Sequence, residues 1–356
     1  MKSIREIKNL SGKRVLLRAD FNVEPFHKDE GRILGTLPTI KYLQKKGAKI
    51  ILLTHLETND GKIPSLISLS ENLRKYFFKN LVFIPLHSGA KVKTAISHLR
   101  SGGILLLENL RKDPREKSSN LRGMASFARE LASLGDLFVN EAFSNSHRAH
   151  ASIVVLPRLL PSFAGFLLEE EIRKLSIVFR PPRPFLAILG GAKIETKLPL
   201  LKILNKKADA VIVGGALVEA FMKSRSKKND NLILPERVAV MRNRRASLIH
   251  ISKIKIGEKI YDIDLNSVYG LKELSAKARL IVWNGPLGYI EKGFVKSTRD
   301  MGSLLKKASG KIIIGGGDTA ECLPKKLPKN IFVSTGGGAM LEYLVHKTLP
   351  GIKALR

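Results

Sequence analysis

Cysteine is almost missing. Cys322 is the only one in 356 residues. A single thiol excludes an internal disulfide framework and a cysteine-rich zinc site, and it fits a reducing cytosol. Long apolar runs are missing too: none approaches the roughly 20 residues that a membrane helix needs. The opening residues, "MKSIREIKNLSGKRVLL", interrupt every apolar stretch with charge, so no signal peptide is expected. The chain shows no repeat of fixed period and no low-complexity segment. Acid is scarce: Asp and Glu total 31 against 62 Lys and Arg, a net charge of +31. Such a field attracts polyanions and steers small anions. The basic residues are scattered, however. The densest clusters, "KSRSKK" (223–228) and "RNRR" (242–245), are short and have no aromatics between them. That favours a protein handling small anions over one that binds nucleic acid.

What is present is long enough for two domains, and its 44% hydrophobic content is ordinary for a globular chain. Apolar runs bounded by Gly, Asp or Asn ("KRVLLRADF", "AKIILLT", "GGILLLENL", "GDLFVNEA") alternate with stretches of helical spacing such as "TLPTIKYLQKKG" and "LRGMASFARELASLG". Continuous apolar strands alternating with helices predict a parallel sheet covered on both faces. The pattern restarts with "RPFLAILGGAK", "ADAVIVGGALVEAF", "ARLIVWNGPLG", "GKIIIGGGDTAE" and "NIFVSTGGGAMLEYL". Between the halves, "GFLLEEEIRKLSIVFRPPRP" reads as one helix ended by Arg180 before a Pro pair. The expected fold is α/β, two doubly wound parallel-sheet, Rossmann-like domains joined by a hinge helix. Residues 1–170 form the first, 165–184 the connector and 185–340 the second, with a tail of about 341–356 packing back on the first.

Four loops of the second half share one form, a strand, glycines and then a helix start: Gly190–Lys193, Gly214–Gly215, Gly315–Thr319 and Gly336–Gly338. Glycine lets backbone N–H groups approach an anion, and a helix N-terminus adds positive partial charge. With Lys193, Lys197, Asp318 and Thr319 beside them, these loops predict a phosphate site. There is no GxxxxGK[ST] loop. "GGGDTA" matches GxGxxA but lacks the acidic residue about 20 positions on that a dinucleotide site wants. Asp318 stands where it could hold magnesium against phosphate oxygens.

The first half places other groups at strand ends: Asp20, Asn22, Arg32, His55, Arg111 and Arg148. Arginine forks fit phosphate and carboxylate. One stretch, "VNEAFSNSHRAHASIV" (139–154), admits three chemistries. His147 and His150 could hold a metal, one histidine could move protons, or Arg148 could hold an anion.

"LLRADFNV", "LPTI", "ENLR", "NEAFSNSHRAHAS", "LPSFAGFLLEEEI", "RPFLAILGGAK", "VWNGPLG", "GGGDTA" and "STGGGAMLEYL", in this order, resemble phosphoglycerate kinases over nearly the whole chain. The resemblance implies a phosphotransferase with a carboxyl acceptor, moving a phosphoryl group between 1,3-bisphosphoglycerate and ADP to give 3-phosphoglycerate and MgATP. It implies a cytoplasmic glycolytic monomer. By similarity, Asp20 and Asn22 meet the glycerate hydroxyl and carboxylate, and Arg32, His55, Arg111 and Arg148 grip its charged ends. Arg32 also leans toward the migrating phosphoryl group, which Lys193 tracks. Gly191, Lys197, Gly214, Asn284, Gly316, Gly317 and Thr319 belong to the nucleotide side, Glu291 meets the ribose, and Asp318 holds magnesium. Gly337, within Gly336–Gly338, offers backbone N–H groups at a helix start. In that frame Arg148 becomes an anion fork, and the two histidines hold its loop. Two domains carrying one substrate each imply closure about the connector.

This sequence departs from the family at several places. The family's "SHLGRP" is "THLETN" (54–59), so Thr58 replaces an arginine and Glu57 a glycine. Glu57 either weakens glycerate binding or points to solvent. The loop from Asn22 to Arg32 is short, Thr196 stands where an Asp is usual, "GGAL" (214–217) lacks a third glycine, and "IYDIDL" (260–265) replaces the adenine-side "GLDIGP". Two competing expectations follow: a kinase for a different acyl phosphate, or a catalytically weakened relative acting as a basic nucleic-acid or regulatory binding protein.

Overall fold

A strand buried along its whole length needs a continuous apolar run and a cover on both faces. Such strands organise both halves of the chain. The computed structural model describes residues 1–23, 26, 31–58, 60–191, 194–223, 231–243, 245–255, 257–324 and 326–355. The chain divides into two compact units, Met1–Ile172 with Thr348–Arg356, and Arg173–Lys347.

In the first unit, β1 (Arg14–Arg18), β2 (Lys49–Leu53), β3 (Val82–Phe83), β4 (Ile104–Leu106), β5 (Leu137–Asn140) and β6 (Ser162–Ala164) pair in parallel in the order β3-β4-β2-β1-β5-β6. Helices α1 (Gly31–Lys45), α2 (Ile67–Tyr76), α3 (Ala90–His98) and α4 (Leu121–Ala132) accompany them, and α5 (Phe166–Leu175) begins in this unit and ends in the next. Val15, Leu17, Ile50, Leu52 and Val139 pack with Ile33, Ile40 and Leu43 of α1 in one buried cluster. Each such side chain contributes about 1.5–3 kcal/mol on burial. β1 lies between β2 and β5: the chain first builds β2, β3 and β4 on one side of it and then crosses to place β5 and β6 on the other. The crevice beyond the carboxyl ends of β1 and β5 is the place where such sheets seat ligands. The C-terminal turn Pro350–Lys353 belongs to this unit, with Gly351 N–H donating to Ser146 C=O at 2.8 Å.

In the second unit, β7 (Phe185–Leu189), β8 (Ala210–Val213), β9 (Leu232–Ile233), β10 (Arg237–Arg242), β11 (Arg245–His250), β12 (Ile260–Ile263), β13 (Leu280–Asn284), β14 (Lys311–Gly315) and β15 (Ile331–Val333) alternate with α6 (Ile194–Lys207), α7 (Ala216–Lys223), α8 (Leu271–Lys277), α9 (Lys296–Leu305), α10 (Gly317–Glu321) and α11 (Gly337–His346). The parallel sheet has the order β15-β14-β13-β7-β8-β9. Its direction reverses at β7, whose neighbours are β13 and β8.

Two features differ from expectation. The second unit carries an additional antiparallel sheet, β11-β10-β12. In β10 buried and more open positions alternate, the period of a strand with one wet face, whereas continuous apolar runs were the expected signal. "IYDIDL" supplies β12 of this sheet. The connector is α-helical only to Leu175, then 3-10 from Ser176 to Phe179, stopping before Arg180.

Candidate active site

The first-unit groups gather at the carboxyl ends of the strands. Asp20 follows β1 and is buried. Its carboxylate accepts from Asn22 N–H at 3.1 Å and from the Ser144 hydroxyl, and it pairs with Arg32 Nη1 at 3.5 Å. Burial alone would raise the Asp20 carboxyl. Arg32, His55 and the two hydrogen bonds outweigh it and hold the group down, at about 2. Arg32 Nη1 also donates to Asn22 C=O at 2.9 Å, which fixes the entry to α1 against the β1 loop.

His55 follows β2 and is buried, 3.3 Å from Arg18 Nη2 through its Nδ1. Burial, then the arginine charges of Arg18, Arg111 and Arg148, drive its pKa well below 6.5 against the pull of Asp20. His150 is pushed down to about 3 by burial and by the same three arginines. Both rings are therefore neutral near pH 7. Among the described residues no three or more His, Cys, Asp or Glu stand together to hold a metal. Arg148 is exposed, and its backbone N–H donates to Asn145 C=O at 2.9 Å. Its field on both histidines and on Arg111 puts it in the same cluster.

Arg111 is 5% exposed, and burial followed by the like charges of Arg148 and Arg18 lowers it to about 10. Its Nη1 pairs with the Glu57 carboxylate, while Nε and Nη2 are buried with no hydrogen-bond partner among the described residues. Thr58 is spent within its own turn: its hydroxyl donates to Asp60, and it accepts from Lys62 N–H at 3.1 Å.

Three supporting groups were not singled out from the sequence. Arg18 is 1% exposed; its Nε donates to Ser152 Oγ at 3.0 Å, and that hydroxyl donates to Glu116 Oε1 at 2.5 Å. Arg18 lies inside an apolar run and Glu116 in a polar one, so no local pattern marks them. Arg18 closes β1, and Glu116 lies in the 3-10 turn Pro114–Lys117.

The second unit holds a cavity of about 590 Å³. Gly191, Lys197, Asn284, Glu291, Gly316, Gly317, Asp318 and Gly337 line it. It sits at the β7/β13 reversal, where Gly190 N–H donates to Asn284 C=O at 3.0 Å. The starts of α10 and α11 border it, so helix N-termini face the space. Lys197 is buried and donates to Gly190 C=O. Burial lowers its pKa to about 8 against the pull of Asp318. Gly191 and Gly285 have φ of 94° and 89°, and a Cβ at either would strike the Lys197 ammonium. Glycine is required there to let the lysine through.

Gly214 does not line the cavity. It packs against Leu287, where a Cβ would come within 2.7 Å. Thr319 is buried behind the lining, its hydroxyl without a hydrogen-bond partner among the described residues. Lys193 lies outside the described residues, as does most of the Asn22–Arg32 loop. Residues not anticipated from the sequence complete the walls: Lys259, whose Nζ is 4.0 Å from the Tyr289 ring centroid, and Leu341 and Val345 on α11.

An arginine-rich cluster in one α/β unit and a glycine-lined cavity with two lysines and one aspartate in the other fit a two-unit phosphotransferase. The comparisons specify which. The family model described as phosphoglycerate kinase matches residues 4–227 and 217–347. The phosphoglycerate kinase of Coprothermobacter proteolyticus is 38% identical, covering 100% of this chain and 98% of that one, and that of Pseudothermotoga lettingae is 35% identical over 99% and 98%. The crystal structure of phosphoglycerate kinase from Pyrococcus horikoshii superposes with a TM-score of 0.86 at 27% identity, covering 100% and 98%. The Coxiella burnetii structure gives 0.79 at 32% identity, covering 99% and 98%. The chain belongs to the phosphoglycerate kinase family.

Proposed function

We propose that the protein catalyses reversible phosphoryl transfer between 1,3-bisphosphoglycerate and ADP, giving 3-phosphoglycerate and MgATP. The observation that carries this is the division of labour: arginine charge around a carboxylate and two neutral histidines in one unit, and a glycine-lined cavity in the other. The acceptor oxygen is already anionic, so no general base is needed, and the neutral His55 and His150 suit that requirement. What the reaction needs is in-line positioning and compensation of charge on the equatorial oxygens.

Asp20 and Asn22 orient the glycerate; Arg32, His55, Arg111 and Arg148 hold its phosphate and carboxylate. In the cavity, Lys197 and the backbone N–H groups of Gly316, Gly317 and Gly337 face the nucleotide phosphates, Asn284 flanks them and Glu291 takes the ribose. Lys193, by its place in "GGAK", follows the moving phosphoryl group. Magnesium suits the cavity as a nucleotide-borne ion: Asp318 is among its lining residues, and magnesium binds through one or two carboxylates plus phosphate oxygens. When bound it supplies charge compensation. Keeping water from the acyl phosphate calls for closure, and we place the hinge at 165–184. The protein acts as a monomer in the cytosol.

The test is calorimetric titration with each substrate alone. Arg111→Ala removes 3-phosphoglycerate binding and spares MgATP, whereas Asp318→Asn does the reverse. Loss of both ligands, or of neither, in each folded variant would contradict the assignment.

A further inference from the structure

Arg111 is built to bind an anion, yet it already holds one. Its side chain is almost wholly buried, and Nη1 is paired with Glu57, a residue 54 positions earlier in the chain. The same guanidinium keeps two buried N–H-bearing nitrogens, Nε and Nη2, unpartnered among the described residues. A guanidinium presents a planar fork that matches carboxylate or phosphate with two parallel bonds. Here one end is taken from within the chain, and the other two nitrogens are buried and unpartnered among the described residues.

The pairing is held from both sides. The Asn109 side chain clamps the Glu57 loop, donating to Leu56 C=O at 2.6 Å and accepting from Leu56 N–H at 3.2 Å. The same Oδ1 accepts from Arg111 N–H at 3.1 Å. Glu57 N–H in turn donates to Asn22 Oδ1 at 2.8 Å. One buried amide thus fixes the backbone of both partners, and a second ties Glu57 to the loop that carries Asp20. Glu57 itself is not buried like its partner: its side chain is 30% exposed. It can swing out while Arg111 cannot.

We propose that Glu57 is an internal competitor that occupies Arg111 in the empty protein and is displaced when a phosphate or carboxylate of the substrate arrives. Glu57 thereby sets the affinity and selectivity of the anion cluster, favouring ligands whose charge is sufficient to expel a carboxylate. This deepens the glycerate-side assignment above and rests on it. A ligand that binds only after an internal partner leaves shows an affinity reduced by the fraction of molecules in the open state. If Glu57 sits on Arg111 about nine-tenths of the time, its removal tightens binding about tenfold. No comparable change reaches the second unit's cavity.

Glu57→Gln keeps the shape and removes the charge; Glu57→Gly is the second variant should glutamine still bond to Arg111. Each is titrated calorimetrically with 3-phosphoglycerate alone and, separately, with inorganic sulfate. Expected is about tenfold tighter binding of both anions, a matching fall in KM for 3-phosphoglycerate, an unmoved KM for MgATP, and loss of the gain when Arg111→Met is added. Unchanged or weaker anion binding in both folded variants overturns the proposal. If 3-phosphoglycerate binds wild type well and the variants are no better, the competitor idea fails and the substrate assignment stands. If sulfate tightens but 3-phosphoglycerate binds to neither protein, the substrate assignment fails and Glu57 keeps its role.

Discussion

Replacing Lys197 by methionine separates what this residue does for function from what it does to stability. Lys197 is 7% exposed, and burial takes its pKa from 10.5 to about 8. Between those two values the unfolded chain binds a proton that the native state does not, so native stability rises with pH across that window. Below about pH 8 the native state carries the full cost of the buried ammonium, about 3 kcal/mol at 1.36 kcal/mol per unit. Methionine matches its length without the charge, but leaves the Gly190 carbonyl without the lysine's hydrogen bond, a loss of about 1–3 kcal/mol. The net expectation is that Lys197→Met is about 1 kcal/mol more stable at pH 7. That advantage should reverse to a deficit of about 2 kcal/mol as pH rises from 8 to 10.5, because wild type gains about 3 kcal/mol there and the variant does not. Trp283, the only tryptophan, is fully buried in β13 with its indole N–H on Gly285 C=O at 2.8 Å. Its fluorescence therefore reports denaturant unfolding of the second unit alone. Nucleotide affinity falls in the same variant. A variant that is less stable at pH 7 and keeps the wild-type pH slope would refute the picture of a cavity lysine held at a cost for phosphate binding.

Lys193→Ala is expected to lower kcat by roughly 10²–10³, the scale for losing one donor to transition-state charge, in a steady-state assay. Asp318→Asn should raise the KM for MgATP while leaving that for 3-phosphoglycerate in place, and added magnesium should not restore it. His55 and His150 are neutral well above their lowered pKa values, so binding of inorganic sulfate, which does not itself titrate there, should show no step near pH 6.5 in a buffer series. At both histidines the unfolded chain protonates first as pH falls below 6.5, but buried Glu141, raised to about 7, takes its proton first in the native state and opposes this down to 4.5. Below that Asp20 adds to the histidines, and acid should destabilise the first unit, visible as earlier denaturant unfolding by far-ultraviolet circular dichroism.

The central strands were legible because strands buried on both faces are written as unbroken apolar runs: "VLL" in β1 and "LIVW" in β13 can hardly be anything else. The glycine loops were legible for a similar reason, since glycine after a strand marks close backbone approach, and Gly191, Gly316 and Gly337 do border the cavity. The β10–β11 hairpin was not: its period-two pattern is short, and its turn residue Asn243, at φ 49°, carries no glycine signal. Nor was Glu57 on Arg111. Two charges 54 residues apart meet only because β2 and β4 are sheet neighbours, and nothing in either local sequence records that. Arg18 shows the same limit, an arginine in a strand whose role depends on Ser152 and Glu116 far along the chain.

The most direct test of the whole account is turnover: purified, folded protein with 3-phosphoglycerate and MgATP, with 1,3-bisphosphoglycerate formation coupled to NADH oxidation. Sustained, enzyme-dependent turnover is expected, saturating separately in each substrate and disappearing with Arg111→Ala or Asp318→Asn at the wild-type KM concentrations. Folded protein that binds both ligands and transfers nothing would contradict it.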